Sequence, residues 1–370
     1  MATTLTRPFR ILLGPCVSPA VRDAVEQAYP GAVIPGSIGL FGSKSPFVEP
    51  FYGDEANCAE NKKQLKGARI VYVQSAEEAD HASILHAGMM PHTLKRHGAT
   101  EVSAILPFRA YDRQDRDFPN RFVSVGAEWY ADLLKSSGAD RVATVTPHSN
   151  AAQALYAERF GARNASGISV TSLLTDALKS ELEAAQGQLI IGAPDGADKP
   201  NDAGQNRARE MVRSLFPGTE PGAEDAHMFK ITKEHVAASE TRIKSCEGDV
   251  AGKTCVIVDD MIDGGSTMVN AAEALKARGA ARVIAMATHG ILSGKAVERL
   301  LDGKDGKASA IDQLLITDTV PSALQKREAY LEQNPQAESH FRVVTVAPLV
   351  LEQIKRMELE KASPGYVRQY

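Results

Sequence analysis

Short β-rich runs alternate along the chain with stretches of helical periodicity. The runs are Phe9-Arg-Ile-Leu-Leu-Gly, Ala68-Arg-Ile-Val-Tyr-Val, Glu101-Val-Ser-Ala-Ile-Leu, Arg141-Val-Ala-Thr-Val, Gln188-Leu-Ile-Ile-Gly, Thr254-Cys-Val-Ile-Val and Arg282-Val-Ile-Ala-Met-Ala. Apolar, β-branched runs of this length, spaced by amphipathic segments, predict an α/β chain whose mainly parallel sheets are flanked by helices.

Two helix-glycine-strand passages nearly repeat each other: Leu134-Lys-Ser-Ser-Gly-Ala-Asp-Arg-Val-Ala and Leu275-Lys-Ala-Arg-Gly-Ala-Ala-Arg-Val-Ile. In both, Gly stands where a helix takes a left-handed cap before the next strand. Their likeness hints at a duplicated domain. The length of 370 residues suits two domains, each able to bury its own core, and we divide the chain at 1–165 and 166–370.

Some stretches break the rhythm. Residues 35–50, rich in Gly, Pro and Ser, read as an inserted loop, and 198–205 and 216–225 as further loops. Residues 232–252 are polar, weakly periodic and long for a connection, either a mobile lid or a surface excursion. His81, His86, His92 and His97 crowd one helix-like region, but at ~100° per residue His81 and His92 share a side roughly 16 Å apart while His86 and His97 face away. Pro91 also interrupts that segment. A structural or interfacial role fits them better than a metal site.

Charge narrows the partners. A formal net charge of −4 with no run of Lys and Arg gives no nucleic-acid signature. Cys16, Cys58, Cys246 and Cys255 lack C-x-x-C spacing, so neither a zinc site nor a disulfide scaffold is indicated, and a cytoplasmic location is the simplest expectation. No leader pattern stands at the N-terminus, and no apolar stretch approaches the ~20 residues of a membrane span.

The richest segment is Val256-Ile-Val-Asp-Asp-Met-Ile-Asp-Gly-Gly-Ser-Thr267, followed by the amphipathic Asn270-Ala-Ala-Glu-Ala-Leu-Lys-Ala277. An apolar strand here runs into paired carboxylates and then into a glycine-rich turn at a helix N-terminus, where free N–H groups and the helix dipole favour a phosphate. Asp259 and Asp260 can accept hydrogen bonds from ribose hydroxyls, and Asp263, Gly264, Gly265, Ser266 and Thr267 form the phosphate cradle. An acidic strand end followed by an ordinary helix cap is the plainer alternative.

This segment resembles the phosphoribosyl diphosphate (PRPP) loop of type I phosphoribosyltransferases, and more closely that of the ribose-phosphate diphosphokinases, the PRPP synthetases. Leu106-Pro-Phe-Arg-Ala-Tyr-Asp-Arg-Gln-Asp-Arg116 resembles the synthetases' ATP-site signature. Further matches are Thr144-Val-Thr-Pro-His148, Ala193-Pro-Asp195, Lys233, Ala287-Thr-His-Gly-Ile-Leu-Ser-Gly294 and Thr317-Asp-Thr-Val-Pro321, so the likeness spans roughly 10–348. It implies two tandem phosphoribosyltransferase-like domains, the first with the ATP-site motif and the second with the ribose-phosphate loop and a flexible catalytic loop.

The implied activity is transfer of the β,γ-diphosphoryl group of ATP to the C1 hydroxyl of ribose 5-phosphate, with Mg²⁺ as cofactor. Such a transfer needs cations and metal to spread phosphate charge, an ordered nucleophile and exclusion of water. The resemblance makes Lys233 the catalytic cation, His148 and Asp195 metal-positioning residues, and Arg113, Gln114, Asp115 and Arg116 nucleotide contacts. A guanidinium can pair with phosphates and an amide can read adenine, although a surface salt-bridge network with Asp112, Asp115 and Asp117 would use the same residues. Phe51, Asp54 and Glu55 loosely match an adenine-contacting segment that the family supplies from a neighbouring subunit, with Phe41 as a rival register. A homo-oligomer, dimer or hexamer, follows from that match.

The chain also departs from the family. Gly264 follows Asp263 where a hydroxyl residue is usual, and Glu234 and His235 follow Lys233 where arginines are usual. Thr146 and Pro147 precede His148 where the family has Asp and Leu. A Gly at the phosphate grip opens room for a larger 5-phosphorylated ribose such as ADP-ribose. Loss of the loop arginines suits a non-catalytic regulatory subunit. A plain phosphoribosyltransferase is disfavoured by the Tyr111-Asp-Arg-Gln-Asp-Arg116 segment.

Overall fold

The computed structural model describes residues 8–34, 36–40, 46–50, 57–118, 120, 122–195, 203–220, 222–237, 240–303 and 308–360. These form two compact units. The first runs through β1 (Phe9–Leu13), α1 (Pro19–Ala28), β2 (Val33–Ile34), β3 (Gly36–Leu40), β4 (Pro46–Pro50), α2 (Cys58–Leu65), β5 (Arg69–Val73) and α3 (His81–Arg96). It continues through β6 (Glu101–Leu106), α4 (Gly126–Ser136), β7 (Arg141–Val145), α5 (Asn150–Phe160) and β8 (Ala165–Ile168). The second holds α6 (Thr171–Ala184), β9 (Leu189–Gly192), α7 (Ala203–Leu215), β10 (Lys230–Ala237), β11 (Glu240–Glu247), β12 (Thr254–Ile262) and α8 (Ser266–Ala277). It closes with β13 (Arg282–Gly290), α9 (Ala296–Leu301), β14 (Gln313–Thr317), α10 (Pro321–Gln333) and β15 (Phe341–Val344). The chain then returns to the first unit as α11 (Ala347–Leu359), which packs on α1.

Each unit is built on a parallel sheet. The first has the order β2-β1-β5-β6-β7-β8 and the second β15-β14-β13-β12-β9. β6 and β7 are buried at every position, as strands covered on both faces must be. On one side of the first sheet Ile84, Tyr130, Leu134, Tyr156 and Phe160 form a core, and a second cluster holds Leu12, Ile70, Tyr72, Met90 and Leu94. Each such side chain contributes about 1.5–3 kcal/mol on burial.

The sheets share a plan: β1, β5, β6, β7 and β8 occur in the order of β9, β12, β13, β14 and β15. The duplication is visible in side chains. At the end of α3, Lys95 Nζ lies 2.6 Å from Asp140 Oδ2 and donates to the Thr100 carbonyl at 3.0 Å, while Asp140 Oδ2 accepts from Val102 N at 2.7 Å. At the end of α8, Lys276 Nζ lies 2.8 Å from Asp312 Oδ2 and donates to the Ala281 carbonyl at 3.0 Å, and Asp312 Oδ2 accepts from Val283 N at 2.7 Å. The equivalent of Leu275–Val283 is therefore Leu94–Val102, one strand-helix unit before the passage that the sequence pattern selects. Both candidates put a helix-ending Gly before a strand; the lysine-aspartate contact separates them.

Segments expected as loops carry structure. β3 and β4 form an antiparallel pair within 35–50, and Val48 packs against the Leu12 cluster. Within 232–252, β10 and β11 pair as an antiparallel hairpin, consistent with the β-branched Ile231, Thr232, Val236, Thr241 and Ile243. Residues 203–205 belong to α7. α3 runs through Pro91 without ending, and within it His86 is buried whereas His81 and His92 are exposed, as is His97 just after it.

α11 is tied down at its C-terminal end. Arg69 donates to the carbonyls of Glu358 at 2.8 Å, Met357 at 2.6 Å and Glu360 at 2.5 Å, and Arg141 donates to the Met357 carbonyl at 2.7 Å. Glu101 lies 2.6 Å from Arg141 and 3.4 Å from Arg69. Two guanidinium groups at a helix C-terminus satisfy its orphan carbonyls and its partial negative charge.

Candidate active site

In parallel sheets of this kind ligands gather beyond the carboxyl ends of the strands. In the second unit β12 delivers Asp259 and Asp260 to that edge, and α7 delivers Arg207 to them. Arg207 Nη1 lies 3.4 Å from Asp259 Oδ1, and Nη2 lies 3.4 Å from Asp260 Oδ1. Asp259 also accepts from the Asp260 backbone N at 2.9 Å. Burial and then the neighbouring Asp260 charge push the Asp259 carboxyl up to about 7, against the opposing pull of Arg207. Two like charges on consecutive residues disfavour each other's ionised form.

Beyond β12, Asp263 and Gly264 lead into Gly265, the N-cap of α8. Gly265 has φ +79°, a left-handed conformation, and a Cβ there would stand 3.0 Å from the Leu300 side chain. As the N-cap of α8, Gly265 has no side chain with which to cap the helix. Ser266 and Thr267 are exposed at this terminus. Arg299 from α9 donates to the Gly264 carbonyl and places a cation beside the loop.

In the first unit the segment after β6 carries the charged run from Asp112 to Asp117. Arg113, Gln114 and Arg116 are exposed; Asp115 is buried. Arg116 Nε donates to Asp115 Oδ1 at 2.7 Å and Nη2 to Oδ2 at 3.1 Å, and Ser149 Oγ donates a short hydrogen bond to Asp115. Burial alone would raise the Asp115 carboxyl, but the hydrogen bonds from Arg116 and Ser149, with the charges of Arg116 and His148, bring it below its ordinary value. Ser149 also caps α5, accepting from Ala152 N at 3.0 Å. His148, half-buried after the left-handed Thr146 at φ 44°, thus stands beside an ionised carboxylate.

The remaining predicted residues are placed as follows. Asp195 is exposed just past β9. Lys233, Glu234 and His235 lie on β10, with a register irregularity between Thr232 and Lys233. Phe51, Asp54 and Glu55, with the rival Phe41, fall outside the described residues. Asp112 is buried against Arg109 rather than joining a surface network. Sequence reasoning missed Arg207, Arg299 and Ser149. Arg207 and Arg299 are single cations on helices, and only tertiary contact reveals what they serve; Ser149, adjacent to His148 and opening a helix, was recoverable as an N-cap.

Comparison with known proteins places the chain in a family. A family model described as the N-terminal domain of ribose phosphate pyrophosphokinase matches residues 47–138, and one described as a phosphoribosyl synthetase-associated domain matches 214–367. A ribose-phosphate pyrophosphokinase of Buchnera aphidicola (subsp. Schizaphis graminum) is 33% identical over 84% of this chain and 87% of its own length. One from Marinomonas sp. is 33% identical over 73% of this chain and 77% of its own. The crystal structure of phosphoribosylpyrophosphate synthetase from Mycobacterium smegmatis superposes with a TM-score of 0.71 at 27% identity, covering 94% of this chain and 98% of that one. The fold is that of a phosphoribosylpyrophosphate synthetase. The chain belongs to the ribose-phosphate pyrophosphokinase family.

Proposed function

We propose that the chain makes PRPP by moving the β,γ-diphosphoryl group of ATP to the C1 hydroxyl of a ribose 5-phosphate acceptor, releasing AMP. The observation that carries this reading is the pairing of two carboxylates near the end of β12 with a helix opened by a left-handed glycine in the second unit. Asp259 and Asp260 accept hydrogen bonds from the ribose hydroxyls, and the backbone N–H groups from Gly264 to Thr267 hold the 5-phosphate. The C1 hydroxyl oxygen attacks the β-phosphorus and gives up its proton to solvent, the bond from that phosphorus to the α-phosphate bridging oxygen breaks, and AMP leaves with that oxygen. Arg113, Gln114 and Arg116 bind the nucleotide, Asp115 orients Arg116, and Lys233 neutralises charge on the transferring group. In this reading the first unit serves the nucleotide and the second the acceptor.

Mg²⁺ fits the donors at hand. His148 beside ionised Asp115 in the first unit, and the exposed Asp195 in the second, are each donors of the kind taken by a hydrated ion that keeps several waters. Bound by such donors, it would screen the nucleotide phosphates. Among the described residues no group of three or more acidic, His or Cys side chains forms a metal cage. Those residues also include no helix long and apolar enough to cross a membrane. Assembly into a homo-oligomer, with Phe51, Asp54 and Glu55 completing a neighbour's adenine pocket, belongs to the same proposal.

A second reading has one observation in its favour. Among the described residues, a Cβ built on Gly264 would meet only Arg299 Nη1, at 3.6 Å, so the loop has space and a cation beside the proposed 5-phosphate position. That suits an acceptor whose 5-phosphate is extended, such as ADP-ribose. The test is Mg²⁺-dependent AMP release from ATP with each acceptor, in wild type and Lys233→Ala. AMP with ribose 5-phosphate supports the first reading, and AMP with ADP-ribose alone supports the second. No AMP with either would overturn both in favour of a regulatory subunit.

A further inference from the structure

We infer that the buried Arg109–Asp112 pair is a positioning device for the nucleotide segment, fixing where Arg113 and Gln114 stand relative to the His148 end of α5. This rests on the nucleotide reading of that segment. Both side chains are almost wholly buried, so neither touches a ligand. Arg109 grips Asp112 with two parallel hydrogen bonds, Nε to Oδ1 and Nη2 to Oδ2, both at 2.7 Å. The guanidinium carbon sits 3.5 Å from the centre of the Tyr156 ring. Asp112 and the tyrosines keep Arg109 charged despite the burial that opposes it.

Tyr156 follows Ser149 on α5 by two helical turns, a spacing that puts both on one face. Ser149 holds Asp115, and Tyr156 underlies Arg109. The nucleotide segment is therefore pinned to α5 at both ends. Between the pins, Gln114 N donates to the Tyr111 carbonyl at 2.9 Å, closing a turn whose inner residues are Asp112 and Arg113. Tyr111 takes φ 64°, its N donates to Glu78 Oε1 at 2.8 Å, and Ala127 N donates to the Gln114 carbonyl at 3.1 Å. Drawing Asp112 inward leaves Arg113 and Gln114 on the exposed side of the turn.

Stability alone is a poor account of the pair. Desolvating two charges costs about as much as their attraction returns, and an apolar pair of similar volume would hold a core at least as well. An apolar pair lacks the fork geometry that fixes one orientation. The prediction is thus a separation of stability from nucleotide binding.

The test compares wild type with Arg109→Met/Asp112→Leu and Asp112→Asn, by titration calorimetry with a non-hydrolysable ATP analogue plus Mg²⁺ and, separately, with ribose 5-phosphate. The double variant is expected to melt near wild type, to lose about tenfold in nucleotide affinity, the equivalent of one lost contact, and to bind ribose 5-phosphate within about twofold of wild type. Asp112→Asn keeps one acceptor and is expected to fall between. Wild-type nucleotide affinity in the double variant, or equal losses for both ligands, would overturn the inference. Should the double variant not fold, the same selectivity is read on Asp112→Asn, where its absence would be equally decisive. No analogue binding by wild type would instead overturn the nucleotide reading itself.

Discussion

The loop after β5 and the loop after β12 occupy the same place in the two sheets, and they have opposite fates. After β5, Gln74 is fully buried, accepts from Cys16 N at 3.2 Å and donates to the Ser75 carbonyl at 3.0 Å. Ser75 is tied to the Thr319 carbonyl at 2.7 Å, and Asp80 caps α3 by accepting from Ala82 N at 3.1 Å. Near the end of β12 stand two carboxylates, and after it a left-handed glycine opens a helix. The first loop spends its polar groups on neighbouring backbone; the second gathers its carboxylates around one guanidinium and leads into a helix opened by a left-handed glycine. A duplicated fold does not duplicate a site, since a few residues at one strand end decide whether that end is filled or open.

Closing the open loop should have the largest effect. Gly265→Val would put a β-branched residue at positive φ and against Leu300; we expect a stability loss of at least ~1–2 kcal/mol. Ribose 5-phosphate binding should fall by about a hundredfold or more as the amide cradle distorts. Calorimetry and thermal melts read both, and near-normal binding would place the phosphate elsewhere.

Asp259→Asn should act next. The folded Asp259 carboxyl is held up to about 7, above the ~4 of an unfolded aspartate, so the folded state retains a proton that the unfolded chain has lost. The stability this contributes is complete below pH ~4 and is lost as pH rises through about 7. The Asn variant lacks this loss and should gain in melting temperature relative to wild type between pH 6 and 9. Its ribose 5-phosphate affinity should fall about tenfold, and the wild-type advantage should grow as pH rises through the same window, when the carboxylate becomes a full acceptor. A pH-independent difference would contradict the shared-charge account.

The smallest effect belongs to the filled loop. Asp80→Ala should cost about 1 kcal/mol through the lost cap of α3. Ribose 5-phosphate binding and turnover should be unchanged. A loss of ribose 5-phosphate affinity there would show that the first loop also takes part in acceptor binding.

The strands legible in the sequence were those with near-continuous apolar runs, β1, β5, β6, β7, β9, β12 and β13. β2, β8 and β15 are short edge strands of two to four residues, with little pattern to read. β10 and β11 carry Lys, Glu, His and Arg among their β-branched residues, so charge masked an alternation that cross-strand pairing reveals. At the site, Asp259 to Thr267 and Arg113 to Arg116 were readable because each motif is contiguous. Arg207, Arg299 and the Tyr156 beneath Arg109 come from distant helices, and nothing local ties them to their partners. Asp112 was legible only as one charge among several until its burial was seen.

The clasp of Arg69 and Arg141 on α11 bears on how the protein comes off the ribosome. The first unit needs a helix that is translated after every strand of the second, so it cannot be completed first, as an N-terminal domain ordinarily is. Until α11 emerges, the surface of α1 that it covers is bare and the two arginines have no carbonyls to cap. A nascent chain arrested between β15 and α11 should hold a finished second unit and an unfinished first, the stage at which a chaperone has most to shield.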